Sequence, residues 1–312
     1  ESGVWWCSGM EGVRPVTSTS GSWAASDVDK RQIDIGDWHL LAGLRYEGTS
    51  FEADGVRYDD ASGEWSPNRS DKQDDHVLPG LHANYRLDSD TLVRAAFTQS
   101  VVRPSFEQLA PYVYLEDDGG DLKAEFGNPE LDPLKSSNLD LGIERYVGRV
   151  GLMSAYVFYK DIKNYTYATD LSGTGDWAAY DEAATFANGD EASIYGLELA
   201  FSRKFGHFLT GANLTLSDSE AKVDGYDGGN YLSRDIELPL HSETVANLTV
   251  GWENERVSLR LAGNYKSGYL EEISSLDAPQ ADRYGDDSLY LDFSARYYMT
   301  WLLHTSPSPR TR

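Results

Sequence analysis

The amino-acid sequence predicts an all-β fold, an antiparallel transmembrane β-barrel, on three observations. Apolar and polar residues alternate with a period of two along many segments, and the polar members are too polar to face a dry core. Several segments exceed the soluble mode of about five or six residues and reach the roughly 9 to 11 that cross a bilayer. Their connections alternate strictly between short and long, as in a meander with tight turns at a periplasmic end and loops at an outer end.

About eleven strands are predicted, near residues 31–35, 38–51, 76–87, 92–102, 138–147, 150–162, 192–204, 208–217, 243–252, 257–266 and 289–298. In the second, Trp38, Leu40, Ala42, Leu44 and Tyr46 share one side, and His39, Gly43, Arg45, Glu47 and Thr49 the other. The third sets Val77, Leu81, Ala83, Tyr85 and Leu87 against His76, Gly80, His82, Asn84 and Arg86. Further along, Phe208, Ala212, Leu214 and Leu216 oppose Gly211, Asn213, Thr215 and Ser217, and Val257, Leu259, Leu261 and Tyr265 oppose Ser258, Arg260, Asn264 and Lys266. The last strand repeats the pattern, with Leu289, Leu291, Phe293, Ala295 and Tyr297 against Asp292, Ser294 and Arg296.

Short turns are expected at Gly36-Asp37, Asp88 to Asp90, Gly148-Arg149, Phe205-Gly206 and Glu253 to Glu255, and long loops over 52–75, 103–137, 163–191, 218–242 and 267–288. The loops carry much of the acid, as in "EADGVRYDDASGEWSPNRSDKQDD", and read as solvated segments outside the membrane. Trp38, Tyr85, Tyr146, Trp252 and Tyr297 fall near strand ends, where an amphipathic ring suits the boundary between lipid and water.

A net charge of −24 and a pI near 4.5 repel phosphates and exclude nucleic-acid partners. Cys7 is the single cysteine, so no disulfide forms within the chain and no Cys/His metal cluster is expected. No run of 18 apolar residues exists, which rules out a transmembrane helix and leaves a barrel open. No signal peptide is expected at the first residues. G-x-S-x-G, H-E-x-x-H and the P-loop are absent and the six histidines are scattered, so no enzyme and no cofactor is expected.

The stretch "SVVRPSFEQLAPYV", then "GNPELDPLKSSNLDLGIERYVG", then "FYKDI" resembles the barrel of TonB-dependent outer-membrane receptors. Its carriers are Arg103-Pro104, Gly127-Asn128-Pro129 with Leu131 and Pro133, then Asn138, Asp140, Gly142, Glu144 and Tyr146, and Phe158 to Ile162; Ser193 to Phe205 is also similar. The resemblance runs from about Gln32 to Tyr298. It implies a Gram-negative outer-membrane location and a barrel of about 22 strands around a plug domain, of which roughly half is here. It further implies active transport, in which a scarce iron chelate, cobalamin or oligosaccharide binds from outside and is admitted with energy from the TonB complex acting through the plug. The implied partners are outer-membrane lipid, TonB and a small-molecule or oligosaccharide ligand. Residues 31–298 are thus expected to be a partial receptor barrel, with plug and TonB contacts N-terminal to the sequence. Residues 1–30 stay unassigned and are expected to be misread sequence, as is the 299–312 tail, "MTWLLHTSPSPRTR", where the family's further strands and terminal aromatic are expected.

Residue by residue, the motif positions read as structural. Arg103-Pro104 is expected to end a strand, since proline fixes φ and donates no ladder hydrogen bond, and Gly127-Asn128-Pro129 to make a turn. The polar-face residues Arg45, Glu47, His82, Asn84, Arg86 and Arg260 are expected to pair with the plug, with ligand contact as the alternative. Asp59-Asp60, Asp74-Asp75 and Asp117-Asp118 with Asp121 are read as solvated rather than Ca²⁺-binding, because no EF-hand spacing is present. Two other readings share the composition: a soluble or surface-anchored β-sandwich lectin or glycosidase, whose strands would bury one face, and a passive porin.

Overall fold

The computed structural model describes residues 21–148, 150–227, 230–273, 276 and 279–298. Of the stretch 1–30 expected to be misread, residues 1–20 lie outside the described residues, as does the 299–312 tail, and 21–30 belong to the first strand. Strands β1 (Gly21–Ile35), β2 (Trp38–Asp59), β3 (Glu64–Arg86) and β4 (Thr91–Val102) open the chain. A short helix α1 (Phe106–Leu109) and a hairpin of β5 (Val113–Asp118) and β6 (Asp121–Phe126) follow. Then come β7 (Leu134–Tyr146), β8 (Leu152–Asp170), β9 (Glu182–Phe205), β10 (Phe208–Asp227) and β11 (Asn230–Ile236). The last strands are β12 (Thr244–Glu253), β13 (Val257–Lys266), β14 (Tyr269–Glu272), β15 (Arg283–Gly285) and β16 (Ser288–Tyr297).

The strands β1, β2, β3, β4, β7, β8, β9, β10, β12, β13 and β16 pair antiparallel with their neighbours in that order, an eleven-membered wall that matches the expected strand count. Among the described residues β1 pairs only with β2 and β16 only with β13. The short turns fall where expected, with Gly36, Gly148 and Gly206 at φ of 59°, 68° and 57°, the left-handed region that lets the chain reverse in two to five residues.

Which face carries the apolar residues decides between barrel and sandwich. Leu44, Leu81, Leu141, Leu248, Leu261 and Phe293 are large, apolar and exposed, Phe293 to 70 % of its surface. A sandwich would bury this face, and its exposure along consecutive strands makes it the face turned to lipid. Strand-end aromatics pair across it, with the Trp38 and Tyr85 rings 4.7 Å apart.

Three of the five expected loops are largely strand. β2 and β3 remain paired from Trp38↔Tyr85 to Asp59↔Glu64, so 52–75 is a ladder closed by a turn at 60–63. β8 and β9 likewise pair from Leu152↔Ser202 to Asp170↔Ala184, and β10 continues into a ladder with β11. The physical reason is that these extensions stand beyond the lipid belt. Their outer face meets water instead of hydrocarbon and their inner face packs on residues distant in sequence, so the period-two signal fades while backbone pairing persists. The expected loop over 103–137 holds α1 and the β5–β6 hairpin, and that over 267–288 holds β14 and β15. β1 begins at Gly21, ten residues before the expected 31.

Candidate functional site: the polar face and the Arg103–Pro133 linker

The polar face of the wall gathers one half of the motif residues, and the linker that starts at Arg103 the other. Asn138, Asp140, Gly142, Glu144 and Tyr146 lie at alternate positions of β7, facing Thr98, Ala96 and Arg94 of β4 on one side and Lys160, Phe158 and Tyr156 of β8 on the other. Glu144 is the centre: Arg94 Nε lies 2.9 Å from its Oε1, and the Tyr146 and Tyr156 hydroxyls donate to its carboxylate. Arg94 Nη1 also donates to Asn84 Oδ1 at 3.2 Å, and Asn138 accepts from Ser136 Oγ at 2.6 Å. The Tyr156 ring lies across Gly142, where a Cβ would stand 2.2 Å from Cδ1, so the glycine makes room for the ring. His39, His82, Asn84, Arg94, Asp140 and Tyr156 line a hollow of about 260 Å³ on this face. Tyr146, expected among the boundary aromatics, belongs to this polar face instead, held by its bond to Glu144.

Nearer the outer end, the buried carboxylate of Glu47 joins two guanidiniums. Arg103 Nη2 donates to Glu47 Oε2 at 3.0 Å and Arg45 reaches the other oxygen, with the buried His76 directly across the ladder. Arg103 therefore does more than precede a strand-ending proline: it fixes where the linker leaves the wall. Arg86, another expected polar-face residue, pairs with Leu92, and Arg260 Nη2 sits 3.9 Å from Glu253.

From Arg103 the chain runs as a linker against the polar face. Ser105 caps α1 in a full capping box, accepting from Gln108 N while Gln108 Oε1 accepts from Ser105 N. Leu109 and Leu131 bury against Phe51 and Ala53, with Phe186 beside them; Leu131 keeps 1 % of its surface. Gly127-Asn128-Pro129 is a turn, as expected, and also a junction. Asn128 Nδ2 donates to Phe186 O at 2.9 Å, while Lys72 Nζ donates to the carbonyls of Glu130 and Leu131 at 2.9 and 2.8 Å. Asn188 closes it, accepting from Asp132 N at 2.7 Å and donating to Asp132 O and Asn164 O. Gly127 and Gly55 mark close backbone approaches of the linker: a Cβ would stand 2.2 Å from Ala110 O at the first and 2.3 Å from Pro111 O at the second.

A second buried cluster caps the same face between β8 and β10. Tyr165 and Tyr167 pack with Ile162, Ala192, Ala221 and Val223 and donate their hydroxyls to the carbonyls of Lys222 and Asp224. Desolvation by burial, with Asp224 and Asp190 adding repulsion, pushes the Tyr167 phenol up to about 12 and Tyr165 in the same direction, so both stay protonated and keep the proton they donate to these carbonyls. Lys72, Asn188, Tyr165 and Tyr167 lay in the expected loops, and no local signal singled them out. Of the expected acidic sites, Asp59 and Asp117 serve turns, accepting from Ser62 N and Gly120 N. Among the described residues, no three His, Cys, Asp or Glu converge on a point that would hold a metal ion.

The profile of the family described as TonB dependent receptor-like, beta-barrel, matches residues 13–304. The iron-regulated outer membrane virulence protein of Vibrio cholerae is 23% identical over 240 residues, covering 72% of this chain and 34% of its own length. The ferric enterobactin receptor of Pseudomonas aeruginosa, solved with enterobactin, superposes with a TM-score of 0.59 at 16% identity, over 91% of this chain and 47% of the receptor. A solved copper transporter superposes with a TM-score of 0.65 at 12% identity, over 90% of this chain and 40% of that one. This chain thus spans about a third of the curated relative and less than half of either solved structure. The paired wall, its lipid-facing belt and the family match agree: the chain belongs to the TonB-dependent receptors and forms part of an outer-membrane β-barrel.

Proposed function

We propose that this chain is the barrel portion of an active outer-membrane transporter, which takes a scarce extracellular ligand and admits it to the periplasm with energy transmitted by TonB. The observation that carries the reading is the family match over residues 13–304, which places a receptor wall on nearly the whole chain. An iron chelate is the favoured ligand class, because the curated relative is named as iron-regulated and one superposable receptor was solved with enterobactin. The polar face supports a plug as partner: Arg94, Asp140, Glu144 and the two histidines of the hollow offer charge and hydrogen bonds in a lumen that is otherwise wet. The chain acts as a transporter and not as an enzyme; the motif residues hold the wall and the linker, and no reaction is assigned to them.

Deleting the gene and measuring uptake of radioactive iron from ferric catecholate, with and without TonB, tests the proposal. Energised uptake that disappears in both deletions is expected. Uptake that survives loss of TonB would make the protein a passive porin, and unaltered iron uptake alongside lost uptake of cobalamin, copper or an oligosaccharide would reassign the ligand.

A further inference from the structure

The strand order contains a closed circuit. Starting at β9 it runs β6, β5, β2, β3, β4, β7 and β8, and β8 pairs again with β9. Six of these strands are neighbours in the wall. The β5–β6 hairpin closes the ring beyond the lipid belt by two short parallel seams, Arg57↔Val113 to Asp59↔Leu115 and Lys123↔Glu182 to Glu125↔Ala184.

Three residue pairs make a weak seam alone, and both seams are reinforced. Across the first, Tyr58 stacks on Tyr114 at 5.7 Å and Asp60 N donates to Leu115 O at 3.0 Å, while Trp65 of β3 tilts against Tyr58 at 4.3 Å from the other side. At the second, Phe126 stacks on Trp177 at 4.4 Å with Tyr180 edge-on, over a core of Leu115, Ala124 and the fully buried Ala183. Leu122 and Asp181 exchange hydrogen bonds beside it, at 2.8 and 2.9 Å. Inside the ring lies the linker, with Leu109 and Leu131 against Phe51 and Ala53, and Lys72, Asn128 and Asn188 holding its turn.

We propose that the outer ends of the β2–β3, β5–β6 and β8–β9 hairpins form one closed, cooperatively stable cap, clamped from within by the linker segments that flank β5–β6, residues 103–112 and 127–133, and that this cap opens as a single unit or not at all. The clamping segments are the two ends of the β5–β6 hairpin, joined at its root where Asn128 N donates to Gln108 O at 2.7 Å, and both seams lie on that hairpin over the cluster of Leu115, Ala124 and Ala183, so loosening the clamp frees both seams together. Any rearrangement of the outer face that accompanies binding then either moves the ring whole or comes from segments outside it. The inference concerns the fold's mobility and stands independently of which ligand is carried.

Hydrogen exchange on the full-length protein in outer-membrane vesicles tests it. In the unmutated protein the amides of 113–115, 123–125 and 182–184 are expected to exchange at one common rate, slowed roughly 100-fold or more against an unstructured chain. Leu131→Ala, which touches neither seam, is expected to speed exchange at both seams by a similar factor and to leave β12–β13 unchanged. Fast exchange at either seam without mutation, or loosening of one seam while the other holds, overturns the proposal. If Leu131→Ala does not assemble, the pair Tyr58→Cys and Tyr114→Cys in a Cys7→Ser background gives a second reading. These positions face each other in the ladder, so with dissolved oxygen and a copper catalyst as the oxidant that takes the two electrons and two protons of the thiols, near-complete disulfide cross-linking is expected of a shut cap, and little cross-linking of separate loops.

Discussion

Gly127 and Gly211 put opposite demands on an added methyl group. At Gly127 a Cβ would stand 2.2 Å from Ala110 O, a backbone atom that moves only with the linker, whereas at Gly211 nothing lies within 4 Å. Gly127→Ala is expected to cost about 3 kcal/mol, the upper end for overpacking, and Gly211→Ala almost nothing; urea titration of the folded band on unheated gels measures both. His241 gives a pH dependence. It lies 3.0 Å from Ser217 Oγ outside the membrane-spanning strands, and burial holds its pKa below the ordinary 6.5, with Lys160 acting the same way and Asp218, Glu237 and Glu243 opposing. A histidine depressed on folding binds its proton more weakly in the folded state, so its contribution is intact above the unfolded value and is lost as pH falls through and below it. Stability is therefore expected to drop further between pH 7.5 and 5.5 in the unmutated protein than in His241→Gln, by at most about 1 kcal/mol. A slope unchanged by the substitution would exclude His241 as the source.

At the scale of elements, the sequence shows the strands within lipid and hides their extensions. Leu139, Leu141 and Ile143 alternate with Asn138, Asp140, Gly142 and Glu144 because hydrocarbon and lumen impose opposite demands on the two faces. In "EADGVRYDDASGEW" that demand is gone: Glu52, Asp54 and Arg57 meet water while Phe51 and Ala53 bury under a linker some 80 residues further on, as Leu131 does. What makes the segment a strand is its partner across the ladder, which no local window contains. The Gly127-Asn128-Pro129 turn was likewise legible as a turn, but its partners Lys72, Phe186 and Asn188 lie 56 to 60 residues away. β8 shows how a single residue redirects an extension. Asn164 sits at φ 57°, leaving a gap in the pairing between Lys163↔Glu191 and Tyr165↔Gly189, after which Tyr165 joins the cluster that holds Ile162. Asn164→Gly is expected to be nearly neutral, and Asn164→Val to cost about 1 to 2 kcal/mol for a left-handed β-branched residue. Equal costs for the two, in the same urea titration, would show that the backbone conformation is not what asparagine supplies.

The whole molecule is strongly acidic, at −24, yet its exposed surface includes a continuous apolar face. In water these facts conflict, and in a membrane they separate by height: the charge collects on the extensions and turns, and the belt meets hydrocarbon. This division makes exposure a poor guide to tolerance. Leu248 is 56 % exposed and sits mid-strand in β12, between Ala212 and Gly263. In a soluble protein Leu248→Arg would be nearly neutral, as surface substitutions usually are; here it places a guanidinium in the bilayer and is expected to cost about 2 to 4 kcal/mol. Thr249 is its neighbour on the opposite, polar face, beside Gly211 and Ala262, and Thr249→Arg is expected to cost less than about 1 kcal/mol, since a wet lumen solvates the charge. Comparing the folded fraction of the two variants in outer membranes isolates the effect, because the same side chain is introduced one residue apart. Equal tolerance would mean that the apolar face of β12 does not meet lipid.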